Sequence, residues 1–378
     1  MRRLVAAAVA LFAIALPASA FSNGYLYSRA ITVGSAVVPS TQVNFPMLVL
    51  GAYSYLATLP NGGMIQNTIT LNSQAVPADL IFTSDAAGTA LLNWEVASYS
   101  AATGTIEVWV QVPSLSNRTI IYMFYGNSSV TTYQGNSTNA WGGSYGAVWH
   151  MANGTTQSLL DSSGNGNTLA SNGTSAGPGQ IDGGIVNTGG QPNGLIVSSP
   201  NAINNLSSFS DSIWLNASAL IDSAAQGELS LIAGNQYQLY INQTSGTLSA
   251  TVVTTGSYRS ATTTNSITAS AWHYVVVTYS SGSYPMIYID GAEATYSSST
   301  NGTGTDVTSS AGVGVGVLGY NEYFYSFPGT LDEARIANVA LSSAWITTEY
   351  NNQNSPSTFY AIGSVLSTAV SGTASIIM

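Results

Sequence analysis

The chain has 378 residues, of which 45% are hydrophobic and only 6% charged, the charges being 16 acids, 6 arginines and no lysine. That apolar content excludes a disordered chain, and a formal net charge of −10 argues against DNA, RNA or an anionic membrane as partner. Without cysteine there is no disulfide framework, so stability must come from cores large enough to stand alone.

The first stretch, "MRRLVAAAVALFAIALPASA", gives Arg2 and Arg3, an apolar run from Leu4 to Leu16, and Ala18-Ser19-Ala20 as a small-residue cleavage site. It reads as a secretory signal peptide over 1–20, with Phe21 starting an extracellular or cell-surface chain. No later run reaches about 18 apolar residues, so the mature chain is expected to carry no transmembrane helix. Nine Asn-X-Ser/Thr sequons, at Asn117, Asn127, Asn136, Asn153, Asn172, Asn205, Asn216, Asn242 and Asn301, offer glycan acceptors or simply reflect composition.

Downstream the period is two nearly everywhere. "GYLYSRAITV", "FPMLVL" and "ADLIF" read as strands, and "GTIEVWVQVP" (104–113) alternates Ile106, Val108, Val110 and Val112 against Glu107, Trp109 and Gln111. "NRTIIYMFYGN" follows at once and is expected to pair with it as an antiparallel neighbour. Residues 21–140 thus form a small β-rich domain, and the polar, glycine-rich "GNSSVTTYQGNSTNAWGGSYG" reads as a connecting segment. Many short strands with turn signals about every ten residues then suggest a sandwich or jelly roll over 147–352. One helix is expected at "SSAWITTEYNN", with Ser342 as cap and Ile346 and Tyr350 on one face. The uncharged tail 353–378 reads as a disordered end or a self-association segment.

The stretches "VWHM", "LLDSSGNGNTLASNGTSAGPGQIDGGIV", "WHYVVVTYSSGSYPMIYIDGAEA" and "GTLDEARIANVALSSAWITTEYN" resemble, in order and spacing, concanavalin A-like domains of laminin-G-like type from secreted prokaryotic proteins. "ADLIFTSDAAGTALLNWEV", "IEVWVQVP" and "IIYMFYGN" are similar to an uncharacterised β-rich domain that often precedes them. One departure is "SSGSYP" before "MIYIDG", a turn that usually carries an acid. The resemblance implies an all-β fold of two sandwiches, the second a jelly roll, frequently with calcium on its rim and sometimes with a bound glycan.

Asp161 opens "DSSGNGN", where one carboxylate, the amides of Asn165 and Asn167 and turning backbone carbonyls offer oxygens to a hard cation such as Ca2+. Asp332 is the expected second carboxylate, because the resemblance brings its strand near this loop; the alternative is an Asx turn by Asp161. Glu333 and Arg335 read as a structural ion pair or a site pair, and His150 and Trp272 as packing residues. "GYNEYFYSFPG" places Tyr320, Tyr323, Phe324, Tyr325 and Phe327 in a surface loop whose rings could stack on sugar, with Asn321 and Glu322 as hydrogen-bonding partners. Its alternative is a loop folded onto its own sandwich or onto the first domain; Tyr258 and Arg259 are a weaker candidate. The Glu-X-Asp-X-X-Glu pattern of sandwich glycosidases is absent, and triads lack parts, so no enzyme is expected. The expected function is an extracellular carbohydrate-binding or adhesive protein, with a glycan or cell-surface polysaccharide as partner. The alternative is a structural surface or filament subunit that self-associates.

Overall fold

The computed structural model describes residues 21–153, 155–190, 193–221, 227–319 and 325–367. The expected signal peptide, four of the five expected glycan-binding residues (Tyr320, Asn321, Glu322 and Tyr323) and the tail beyond 367 lie outside the described residues.

The chain is all-β, built as two sandwiches. In the first, a sheet containing Tyr27–Val33, Ile120–Tyr125 and Leu80–Thr83 faces a three-stranded sheet ordered Gln42–Ala52, Thr105–Leu115, Trp94–Tyr99. Phe45, Met47, Val49, Val108, Val110, Val112, Ile121 and Met123 fill the space between them. The expected pairing of 104–113 with 117–127 is corrected here: Thr105–Leu115 pairs with Gln42–Ala52 and Trp94–Tyr99, whereas Ile120–Tyr125 pairs with Tyr27–Val33 and Leu80–Thr83. Both strands bury alternate residues in the same core, which places them in opposite layers, and Arg118 at φ 66° turns the chain across.

The second sandwich packs a ten-stranded sheet on an eight-stranded one. Its core includes Trp149, Ile185, Leu195, Ile213, Leu231, Leu239, Val275, Val277 and Ile336, contributed alternately by strands of the two sheets. The helix Ser343–Asn354 is capped by the Ser342 hydroxyl, which accepts from the Trp345 N–H. Ile346 is buried, and Tyr350 stacks on Trp214 at 5.9 Å.

Two segments differ from the sequence reading. Within the expected connector lies a short helix, Ser137–Trp141, capped by Asn136, and it buries Trp141. The tail is not a loose end over its described part: Tyr360–Ile362 and Leu366–Ser367 both pair antiparallel with Tyr27–Val33, and Phe359 enters the first core. The second sandwich is therefore inserted within the first.

Candidate functional site

Acids are scarce in this chain, and among the described residues seven are buried: Asp79, Glu95, Glu107, Asp211, Asp332, Glu333 and Glu349. Carboxylates are almost never fully buried unless paired, so their partners define where the chain invests its charge. Four of them meet where the sandwiches join. Glu107 and Trp109 sit on the face of Thr105–Leu115 opposite its core residues, the face that alternation alone would assign to solvent; the second sandwich covers it. Glu95 comes from the adjacent strand Trp94–Tyr99 and Glu349 from the helix Ser343–Asn354.

His150, Glu333 and Arg335 come from the second sandwich. His150 follows the strand Tyr145–Trp149, and its neighbour Met151 takes φ 71°. Glu333 takes φ 49° in Pro328–Ala337, where the pairing with Ser208–Ala217 shifts register: Ser212 faces Arg335 but Trp214 faces Asp332. Such a bulge re-aims side chains, and here it turns Glu333 into the junction.

The imidazole is the hub. His150 Nδ1 and Glu333 Oε1 are 2.7 Å apart, and Arg335 Nη2 donates to Glu333 Oε2 at 2.6 Å. On the other side, His150 Nε2 lies 3.5 Å from Glu95 Oε2 and has no hydrogen-bond partner. Trp141 Nε1 donates to Glu95 Oε2 at 2.6 Å, Ser162 Oγ to Glu95 Oε1 at 2.5 Å, and Trp109 Nε1 to Glu107 Oε1 at 3.1 Å. The Arg335 guanidinium lies 4.3 Å from the Trp109 ring centroid and 4.8 Å from that of Trp141. Tyr145 and Tyr274 donate to the two oxygens of Glu349, each at 3.0 Å, and Arg335 Nη1 stands 3.5 Å from it.

Electrostatics follow from these distances. Burial disfavours charge on His150, but the facing Glu333 and Glu95 carboxylates overcome it and hold the ring's pKa well above its ordinary value. Burial likewise works against Glu333, and His150 with Arg335 outweighs it, keeping that carboxyl below the usual range. Glu107 goes the other way: burial, reinforced by the Glu333 charge, pushes it well above. The junction thus holds one strongly ionised carboxylate between two cations, with a neighbouring acid driven toward its neutral form.

A groove of about 350 Å3 opens on this junction. One wall is the turn of the hairpin formed by Thr68–Leu71 and Gln74–Pro77, where Asn72 and Ser73 take φ 48° and 68°, the left-handed pair of a two-residue hairpin loop. The other wall carries Gln157, Ser158 and Leu160 of the second sandwich, and Glu95, His150 and Ser162 line the interior.

The sequence-predicted residues fall elsewhere. Asp161 Oδ1 accepts from the N–H groups of Val148 (3.0 Å) and Ser163 (2.9 Å), and Oδ2 from that of Asn167 (2.9 Å). These are the bonds of the Asx alternative, extended to the adjacent strand. Asn167 is fully buried and its amide donates to the carbonyls of Gly146 and Asn201, while that of Asn165 donates to the Tyr145 and Gly146 carbonyls. Gly164 and Gly166, at φ 86° and 80°, allow the tight path. Asp332 does not share these partners: its Oδ2 accepts from Gln180 and Ile181, at 2.9 and 3.0 Å. Of the aromatic loop, Tyr325 is partly buried and its carbonyl accepts from Ser230 N–H. Arg259 is buried, bonded to Tyr279 and Asp306, while Tyr258 is exposed. His150, read as packing, is the residue that sequence reasoning missed; its one signal was a charge-poor chain placing histidine beside tryptophan on a strand.

Among the described residues, one set of three histidine and acid side chains comes together with ligand atoms within 4.8 Å of one another: Glu107, His150 and Glu333. No helix among them is long and apolar enough to cross a membrane.

Residues 189–347 match the family model of the concanavalin A-like lectin/glucanases superfamily, in its laminin-G form, and residues 77–148 match a domain of unknown function (DUF2341). No curated protein matches the chain. Similar solved structures include the binding domain of Paraclostridial Mosquitocidal Protein 1, at 18% identity and a TM-score of 0.45, covering 55% of this chain and 52% of that one. The receptor binding domain of botulinum neurotoxin type G gives 14%, 0.41, 55% and 51% for the same quantities. The ligand binding domain of botulinum neurotoxin serotype D, in complex with N-acetylneuraminic acid, gives 16%, 0.44, 57% and 53%. The chain spans about half the length of each of these structures.

Proposed function

We propose that a concanavalin A-like domain, held against its partner sandwich by buried charge, makes this protein an extracellular or cell-surface carbohydrate-binding protein that binds its ligand without transforming it. The family model over residues 189–347, named for lectins and glucanases, supports carbohydrate as the ligand class. The observation that carries the location is the groove between the sandwiches, because its walls are the groups that recognise sugar hydroxyls. Asn72 and Gln157 supply amides, Ser73 and Ser158 hydroxyls, and Glu95 a carboxylate fixed by Trp141 and Ser162. Leu160, 47% exposed, offers an apolar rim for the C–H face of a ring.

A glycan array probed with the full chain tests the class, and the double variant Gln157→Ala/Leu160→Ala tests the place. Two lost contacts of about 1 kcal/mol each weaken retention by roughly tenfold or more, while stability falls by no more than the hydrogen bond from Gln157 Nε2 to Thr174 Oγ1, about 1 kcal/mol. Retention that survives this variant but is lost in Tyr325→Ala moves the site to the aromatic loop. No retention on any glycan, with assembly on a sizing column, favours the structural subunit.

A further inference from the structure

His150 is more than nine-tenths buried, yet its Nε2 has no hydrogen-bond partner, while Nδ1 is fixed 2.7 Å from Glu333. A ring nitrogen held by a carboxylate sets the orientation and tautomer that present the opposite nitrogen to a metal ion. Nε2 faces Glu95 Oε2 at 3.5 Å. That is long for a charge-assisted hydrogen bond, which would close to about 2.7–2.9 Å. It is close to the separation of about 3.3–3.4 Å between two ligands of a tetrahedral ion with bonds of about 2.0–2.1 Å.

The Nδ1 side is closed by comparison. Glu333 is engaged by both His150 and Arg335, Trp109 N–H points at Glu107, and the two carboxylate side chains are only 1% and 3% exposed. His150 and Glu95 both line the groove, whereas Glu107 and Glu333 do not. We propose that a divalent transition-metal ion, Zn2+ being the probe of choice, binds His150 Nε2 and Glu95 Oε2 in place of the Nε2 proton, which is released to solvent, so that uptake strengthens as pH rises. Imidazole with a carboxylate suits Zn2+ or Cu2+ and disfavours Ca2+ and Mg2+, which prefer all-oxygen sets. The carboxylates of Glu95 and Glu333 flank the ring on its two nitrogen sides, so the position favours a cation. The inference stands apart from the carbohydrate reading, because metal is measured without sugar.

The chain has 2 histidines and no cysteine, which makes the test sharp. The other, His273, has Nδ1 at 2.9 Å from Asp290 and Nε2 accepting from Thr268 N–H. Equilibrium dialysis of the untagged full chain against zinc chloride is expected to give one Zn2+ per chain, lost by at least tenfold in His150→Gln and in Glu95→Gln and kept in His273→Gln. Because the first two variants disturb a buried junction, the wild-type protein is also followed by NMR of the histidine ring nitrogens. Zinc is expected to shift Nε2 of one histidine, the one whose signal His273→Gln retains. No bound zinc, zinc retained in His150→Gln, or ring signals that ignore saturating zinc would overturn the proposal.

Discussion

Two regions of this molecule satisfy carboxylates in opposite ways. In the loop after Asp161, one acid is satisfied by three backbone N–H groups within 13 residues of it along the chain. At the junction, Glu95, Glu333 and Glu349 are satisfied by side chains, several of them distant in sequence: Trp141 is 46 residues from Glu95, His150 183 from Glu333, and Tyr145 204 from Glu349. The first arrangement is a local turn device and the second a long-range network, so the first tolerates loss of a side chain better than the second tolerates loss of a charge.

The largest expected effect tests the network. Arg335→Met leaves Glu349 without a buried cation and Glu333 with His150 alone, and removing one partner of such a set costs about 3–5 kcal/mol. Thermal unfolding should show a fall on the order of ten degrees, partly recovered when Glu349→Gln is added. A fall of a degree or two would mean that tryptophan packing, not charge, holds the sandwiches together.

The local device should yield less. Asp161→Asn keeps one acceptor oxygen but turns an amide N–H2 toward one of the three donors, a loss of about 1–3 kcal/mol. Thermal melting in chelator checks it. Calcium added to the wild type then separates turn from ion site: the hydrogen bonds of Asp161 predict no shift, whereas a bound ion raises the melting temperature, ~2.7 kcal/mol of stabilisation at a hundredfold excess over Kd.

A third kind of acid gives the smallest effect. Asp211, buried in Ser208–Ala217, has neither carboxylate oxygen hydrogen-bonded, and burial pushes its pKa well above the usual range. For a folded-state pKa raised in this way, the contribution to stability is complete below the ordinary carboxylate value and lost as pH rises through the folded one. The wild-type melting temperature should therefore fall more steeply than that of Asp211→Asn between acid and alkaline pH, by roughly 2–4 °C for each 1 kcal/mol of difference. Parallel profiles would show that Asp211 does not titrate in that window.

These contrasts explain what could be read in the chain. Period-two runs such as "IEVWVQV" revealed strands, and Asp-Ser-Ser-Gly revealed a turn, because both signals are local. Alternation also sorted Glu107 and Trp109 onto one face, but could not say that another sandwich covers it. His150 and Glu333 are 183 residues apart and meet through a register shift at Glu333; no spacing encodes that. The pairing of Tyr360–Ile362 with the first strand was hidden similarly, by the length of chain between them.

That last pairing has a mechanical consequence. Tyr27 lies opposite Ser367 and Val33 opposite Tyr360, so the chain enters and leaves the fold side by side at one end of an antiparallel pair. A pull applied through these two points loads the rungs one after another, as a zipper, rather than all together in shear. The inserted sandwich, with its groove, bears no tension until the zipper has opened.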